Sequence, residues 1–263
     1  MMMRKLIFLF TYLGISVLGN AQVKLPKALP NVAQAVQGLK SLGQGMESGP
    51  SIEEIGAGLK EALDAGVATG VSQLSRVGGF AENLLYRIPL PPEIQSVEEK
   101  IRKNPLLNAG IGPKLDGLIA AMNQGAEVAV KEATPIFKEA ITDMTIKDAL
   151  GILQGGDGAA TAYLRQETSD GIQAAFAPII EAALKTVDAG RYWTPLIQAV
   201  NANKKVLGLT EDIEPDLPTY VNARAREAMY KEIGIQEQKI RKDPLARTSA
   251  LLKSVFGSKI AQG

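Results

Sequence analysis

The stretch IQAAFAPIIEAALKTV, residues 172–187, has the most regular periodicity in this chain. Its apolar side chains recur at steps of three and four residues, the spacing that places them on one face of a long α-helix. Other segments repeat this spacing, and none alternates over a useful length as a half-buried strand would. The sequence therefore predicts an all-α fold, a bundle of about seven to nine helices.

Capping residues, prolines and glycines predict where the helices begin and end. Ser51 and Glu54 have the spacing of a capping box, which opens a helix that is predicted to run to residue 77. Prolines in the segment RIPLPP, residues 87–92, remove backbone donors and favour extended geometry, so this segment is predicted to be a strap between helices. The glycine-rich turn at 155–158 separates two further helices, and we expect Asp157 to cap the second of them.

The first twenty-one residues have the features of a signal peptide. Arg4 and Lys5 precede the apolar run 6–18, and small residues occupy positions −3 and −1 of a cleavage point after Ala21. This apolar run is shorter than the roughly 20 residues that a membrane-spanning helix needs. We therefore expect export, cleavage after Ala21, and a soluble product in the periplasm or outside the cell that does not span a membrane.

The rest of the chain divides into three parts. Residues 22–50 contain two prolines and a glycine-rich stretch, and we expect a flexible N-terminal arm there. Residues 51–257 hold the long periodic segments and are predicted to form a single helical domain. Residues 258–263 remain as a short tail.

The composition excludes several classes of protein. The chain has no cysteine and no histidine, which rules out thiol nucleophiles, serine–histidine triads and metal sites built on those residues. The formal charge is +1, and it falls to −1 when Arg4 and Lys5 leave with the signal peptide. A nucleic-acid-binding protein needs a basic surface, so we expect no nucleic-acid partner. No cofactor is predicted.

Carboxylates supply most of the remaining chemistry. Pairs such as Asp143 with Asp148 have the residue types of a glycoside hydrolase, but surface charges on amphipathic helices explain them as well. The acidic loop at 211–216 has oxygens for calcium but lacks the spacing and the glycine of a calcium-binding loop. We interpret it as a solvated loop in which Asp216 caps the next helix, so no metal site is predicted.

Short blocks spread along the chain resemble one known bacterial family. They are GLKEAL at 58–63, RIPLP at 87–91, MN at 122–123, MTIKDA at 144–149, ILQG at 152–155, AATAYLR at 159–165, Arg241, DP at 243–244, ART at 246–248 and LLKSVFG at 251–257. Because these unrelated motifs follow a fixed order over residues 52–257, the chain is identified as a member of the domain-of-unknown-function family numbered 4197. The resemblance implies a mostly helical, typically exported bacterial domain without a known activity.

Two roles fit Arg165, which lies on the helix after the glycine-rich turn. Its guanidinium could bind the carboxylate or phosphate of a ligand in bidentate fashion. Alternatively, it could hold the turn at 155–157 or helix carbonyls by hydrogen bonds, and this structural role is the one that we expect. The candidate binding residues of the whole chain are Tyr163, Arg165, Arg87, Arg241 and Arg247.

One sequence similarity within the chain needs an interpretation: EEKIRKNPL at 98–106 resembles EQKIRKDPL at 237–245. The surrounding residues do not align. We therefore interpret the two stretches as independent helix C-termini, each with cations favoured by the helix dipole and a proline stop, rather than as duplicated halves. The basic tail from residue 237 onward also suits contact with an anionic membrane surface or an acidic partner, although the same helix-terminal cations explain it.

These observations favour an exported, non-catalytic binding or interaction module of the cell envelope whose partner is another protein. The alternative is a carrier that holds an apolar or amphiphilic small molecule in a cavity between helices. A carboxylate-based hydrolase comes third. An enclosed dry cavity would support the carrier, an exposed apolar patch the protein partner, and converging carboxylates the enzyme.

Overall fold

Helices dominate the structure, as the periodicity predicts. The computed structural model describes residues 49–186, 188–213 and 216–258 of the chain. Within these ranges the helices are α1 (Ile52–Ser75), α2 (Pro92–Lys103), α3 (Pro105–Val130), α4 (Ala133–Asp143), α5 (Ile146–Gln154), α6 (Ala159–Thr186), α7 (Ala189–Ala202), α8 (Lys204–Leu207), α9 (Leu217–Lys242) and α10 (Ala250–Phe256). A 3₁₀ turn, Pro244–Ala246, separates α9 from α10, and the same ranges contain no strand. The prediction of an all-α, multi-helix bundle is confirmed.

The start of α1 has the capping box that the sequence predicts. The backbone N–H of Glu54 donates to the Ser51 hydroxyl at 3.1 Å, and the backbone N–H of Ser51 donates to the Glu54 carboxylate at 2.7 Å. Two N–H groups that the first helical turn would leave without partners are thereby satisfied. The helix ends at Ser75, two residues before the predicted boundary.

Glycines inside α1 let neighbouring helices approach closely at particular positions. A Cβ atom at Gly58 would lie 2.7 Å from Cγ2 of Val255 on α10, a separation that real Cβ contacts do not reach. A Cβ atom at Gly56 would meet nothing nearer than 4.0 Å. Gly58 is therefore needed for packing, whereas Gly56 only lowers the helix propensity.

The proline-rich strap is extended and is held from two sides. Its Ile88 and Leu90 side chains are buried, and the Asn123 amide of α3 bonds both backbone groups of Ile88, accepting from N–H at 2.8 Å and donating to C=O at 3.0 Å. The Tyr220 hydroxyl of α9 donates to the Pro89 carbonyl at 3.1 Å. Pro92 is the first residue of α2, where a missing N–H costs nothing. The predicted strap is confirmed.

Helix α6 occupies the middle of the bundle. It packs against α3, α4, α5, α7 and α9, while α1 packs against α3, α4, α5, α9 and α10. The largest fully buried side chains at this centre include Phe137, Phe176 and Tyr230. Residues from Gly49 onward form one compact unit. No helix in the described ranges combines the length and the apolarity needed to span a membrane.

Candidate functional site

A buried ion pair on α9 joins the two helices that flank the glycine-rich turn. Arg241 donates from Nε to the Glu237 carboxylate at 3.0 Å, and both side chains are less than a tenth exposed. The other guanidinium nitrogens of Arg241 donate to the carbonyls of Ile152 at 2.7 Å and Leu153 at 3.3 Å. Arg241 therefore satisfies carbonyls that the C-terminus of α5 leaves without intrahelical donors.

The carboxylate of Glu237 occupies the N-terminus of α6. It accepts hydrogen bonds from the backbone N–H groups of Ala160 at 3.0 Å and Thr161 at 2.9 Å, and from the Thr161 hydroxyl at 2.7 Å. A negative charge there is favoured by the helix dipole and by unpaired N–H groups. One residue of α9 thus caps a helix that lies 76 positions earlier in the chain.

Two sequence predictions about this turn are wrong. Arg165 makes no hydrogen bond to the turn; Arg241 does so, because it extends from the end of α9 that lies beside α5. Asp157 is not the cap of α6, since the helix begins at Ala159 and Glu237 supplies the carboxylate. Asp157 instead pairs with Lys242 at 2.5 Å.

Arg247 and Arg87, two further candidate binding residues, are not placed together with Arg165. Arg247 donates to the carbonyls of Ile240 at 3.0 Å and Arg241 at 2.7 Å, so its guanidinium finishes the C-terminus of α9. Arg87 is exposed on the strap and has no side-chain partner among the described residues. Arg241 and Arg247 are therefore structural in this arrangement.

A groove with a volume of about 450 Å³ runs between α6 and α9, and we call it the basic groove. Its lining residues are Gly158, Thr161, Ala162, Arg165, Lys231, Gly234, Ile235 and Gln238. The α6 residues recur at steps of three and four, and so do those of α9, so each helix presents one stripe to the groove. Two cations and no carboxylate belong to this set.

Tyr230 forms a rigid base beneath the Arg165 guanidinium. The guanidinium carbon lies 4.5 Å from the centre of the Tyr230 ring, within the range of a cation–π contact. The ring packs edge-on against Phe137, and its hydroxyl bonds the Thr168 hydroxyl at 2.8 Å. Burial raises the pKa of Tyr230, while the Thr168 hydrogen bond and the positive charge of Arg165 act in the opposite direction.

A second groove of about 420 Å³ lies on another side of α6, and we call it the acidic groove. Its lining residues are Ile136, Glu139, Ala140, Asp143, Asp148, Tyr163, Glu167 and Gly171. Burial, followed by the negative charges of Asp148, Glu167 and Asp143, raises the pKa of Tyr163. The candidate residues Tyr163 and Arg165 therefore belong to two grooves of opposite charge.

The acidic groove brings Asp143 and Asp148 together, as a carboxylate-based hydrolase would require. Asp148, however, is engaged with Thr145, whose backbone N–H and hydroxyl donate to its carboxylate at 3.0 Å and 2.6 Å. Asp143, Glu139 and Glu167 are exposed to solvent. Carboxylates in this setting lack the dry surroundings that separate the roles of a general acid and a base.

In the part of the chain that the structure describes, the acidic side chains form no metal cluster and the core cavity beside Glu237 is small. No group of three acidic side chains there is placed to hold a metal ion. In the acidic loop, Asp212 pairs with Lys204 at 2.7 Å and Asp216 caps α9, while Glu214 lies outside the described residues. A cavity in the core beside Glu237 has a volume of about 20 Å³, room for about one water molecule.

Sequence reasoning missed three residues of this region: Glu237, Tyr230 and Lys231. Tyr230 lies next to Met229 and three residues, about one helical turn, before Ile233. This apolar spacing on α9 is a signal for its burial. No local pattern distinguishes Glu237 or Lys231 from other charged residues of a polar helix.

Comparison with known proteins identifies the family. The family described as "Protein of unknown function (DUF4197)" matches residues 49–257, and the chain belongs to it. Searches of curated proteins and of solved structures find no match to this chain.

Proposed function

We propose that this member of the DUF4197 family is a non-catalytic binding module of the cell envelope whose partner is another protein. The observation that carries the proposal is the pair of open grooves, one basic and one acidic, that flank α6. Grooves of opposite charge on a rigid helix suit recognition, because complementary potentials steer a partner and fix its orientation.

Exposed apolar side chains support a protein partner. Val77, Leu84 and Leu85, between α1 and the strap, are 93%, 92% and 52% exposed. The three residues lie within a stretch of nine, and apolar groups that stay in water as a patch are typical of interaction surfaces. A partner that covered them would gain hydrophobic free energy in addition to contacts in the grooves.

The two other functions receive less support. A carrier needs an enclosed chamber of several hundred Å³, whereas the core cavity beside Glu237 has about 20 Å³. A hydrolase needs a carboxyl group whose pKa is raised by dry surroundings, whereas the carboxylates of the acidic groove are exposed or engaged in capping. Of the three functions, binding without catalysis is the one that assigns a role to both grooves.

Export is part of the proposal, and residues 1–21, on which it rests, lie outside the described residues. The intact mass of protein purified from the envelope fraction tests it. A mass that corresponds to a chain beginning at Gln22 is expected, because small residues precede that position. A membrane-bound species that retains residues 1–21 would contradict export of a soluble product.

Site-specific photo-cross-linking in the producing cells tests the binding function. A photoreactive residue replaces Ala162 in the basic groove or Ala140 in the acidic groove, and Ala68, exposed on α1 and outside both grooves, is the matched control. We expect a discrete protein adduct at position 162 or 140 and none at 68. Equal labelling at all three positions, or none at either groove, would refute the proposal.

A further inference from the structure

We infer that the basic groove is a binding site for an oxyanion, a carboxylate or phosphate group carried by the ligand. This inference rests on the proposed binding function and names the chemistry of one of its two grooves. It is carried by the Arg165 guanidinium, by Lys231 and by the small residues between them.

Arg165 presents its hydrogen-bond donors without an acceptor. Its guanidinium is positioned over the Tyr230 ring, and no acceptor for its N–H groups is found among the described residues. A guanidinium held by a ring loses less freedom on binding than a mobile one, and its planar fork matches two oxygens of a carboxylate or phosphate. The donors are thus arranged before a ligand arrives.

Lys231 adds a second positive charge that is likewise unpaired within the described part of the chain. Three other cations of α9 are paired: Arg224 with Glu227, Arg241 with Glu237 and Lys242 with Asp157. Two positive charges that line one groove, with no carboxylate among its lining residues, repel each other. An anion between Arg165 and Lys231 would remove this repulsion.

Small residues make room for the ligand beside these cations. Gly158, Ala162 and Gly234 lie along the groove, and none of them has a side chain larger than a methyl group. The Thr161 hydroxyl donates to the Glu237 carboxylate, which also pairs with Arg241, so the carboxylate nearest to the groove is already engaged. A volume of about 450 Å³ is within the range of small-ligand sites.

The shape and the charges together define the ligand. Its anionic group lies between Arg165 and Lys231, and an uncharged part lies along Ala162 and Gly234 toward Gln238. The side-chain amide of Gln238 offers one donor and one acceptor to that uncharged part. An elongated molecule or chain end with one carboxylate or phosphate has this form.

Nuclear magnetic resonance titration of the purified, processed protein tests the inference. Sodium phosphate is one probe and sodium butyrate, a monocarboxylate, is the other. Each is added at constant ionic strength against chloride, so that phosphate and carboxylate binding are measured separately. We expect saturable shifts at Gly158, Thr161, Gly234 and the Arg165 Nε–H. Arg165→Gln should weaken binding by about tenfold, because the bidentate donor is lost.

The matched control is Arg224→Gln. Arg224 also lies over a tyrosine, Tyr220 at 5.4 Å, but its guanidinium already pairs with Glu227. This variant should bind both probes as the parent does. Shifts that never saturate, or that persist unchanged in Arg165→Gln, would overturn the inference.

The titration and the cross-linking can fail independently. An adduct at position 162 without saturable anion binding would leave the binding function in place and refute the oxyanion site. Saturable anion binding without an adduct at positions 162 and 140 would support the oxyanion site and refute the protein partner.

Discussion

Replacing Arg241 by methionine should be among the most damaging single changes on α9. Arg241 and Glu237 are 8% and 6% exposed, so the change leaves a buried carboxylate without its cation. It also leaves the carbonyls of Ile152 and Leu153 without these donors. Breaking one side of a buried ion pair costs about 3–5 kcal/mol, a large share of the roughly 5–15 kcal/mol that stabilises a typical domain.

The chain contains its own control for this change. Arg102 stands in the matching stretch at 98–106 and pairs with Glu98 four residues earlier, as Arg241 pairs with Glu237. Its side chain is 36% exposed, and surface pairs of this kind are worth about 0–1 kcal/mol. Urea unfolding should therefore give a clearly lower midpoint for Arg241→Met than for Arg102→Met, with unchanged slopes.

A double variant separates the ion pair from its capping role. If mutual attraction were the whole contribution, Glu237→Leu combined with Arg241→Met would recover most of the lost stability, since apolar pairs often replace buried ion pairs without loss. We expect no recovery, because Ala160 and Thr161 would then lose the acceptor of their N–H groups. Equal midpoints for Arg241→Met and Arg102→Met, or full recovery in the double variant, would refute this reasoning.

Three further outcomes are expected. Gly58→Ala should destabilise the protein by about 1–3 kcal/mol, because the added methyl group overpacks against Val255. Gly56→Ala should stabilise it by about 0.5–1 kcal/mol, because that position has room for a methyl group. Thermal unfolding of the two variants compares these effects. Burial, and then the hydrogen bond to the Glu232 carboxylate, raises the pKa of Tyr86. The unfolded chain therefore ionises first above the ordinary tyrosine pKa of about 10, so stability should fall from that pH upward. Tyr86→Phe should weaken this dependence when urea midpoints are measured against pH, and an unchanged pH dependence would count against it. Chelators should leave the melting temperature unchanged, because the chain has no histidine or cysteine ligands, and a drop of more than a few degrees would reveal a metal site.

The features that the sequence predicts correctly depend on neighbours in the chain. The capping box is recognisable because Ser51 and Glu54 are three positions apart, and the strap because prolines exclude helix at residues 87–91 whatever surrounds them. Tertiary packing contributes little to whether the capping box or the strap forms. For this reason the helices and most of their boundaries follow from local chemistry.

The contacts that fix the site are distant in sequence, and there the predictions fail. Arg165 and Arg241 carry the same guanidinium, which bonds helix carbonyls and ligand anions equally well. Only the tertiary arrangement places Arg241 against carbonyls 88 and 89 residues earlier. The same holds for Asp157 and Glu237, two carboxylates of which the distant one caps α6. Residue type identified the candidates, and helix packing assigned their roles.

The glycine-rich turn at 155–158 should accept inserted sequence, because its two ends are fastened from outside. Arg241 and Glu237 hold the helix termini on either side, whereas a Cβ atom at Gly156 would meet nothing within 4 Å. Lengthening a loop costs only about 0.6 kcal/mol for each doubling of its length. A short epitope or fluorophore-binding peptide placed between Gly156 and Asp157 would therefore label this protein in living cells and leave the contacts of Arg241 and Glu237 with the helix termini in place.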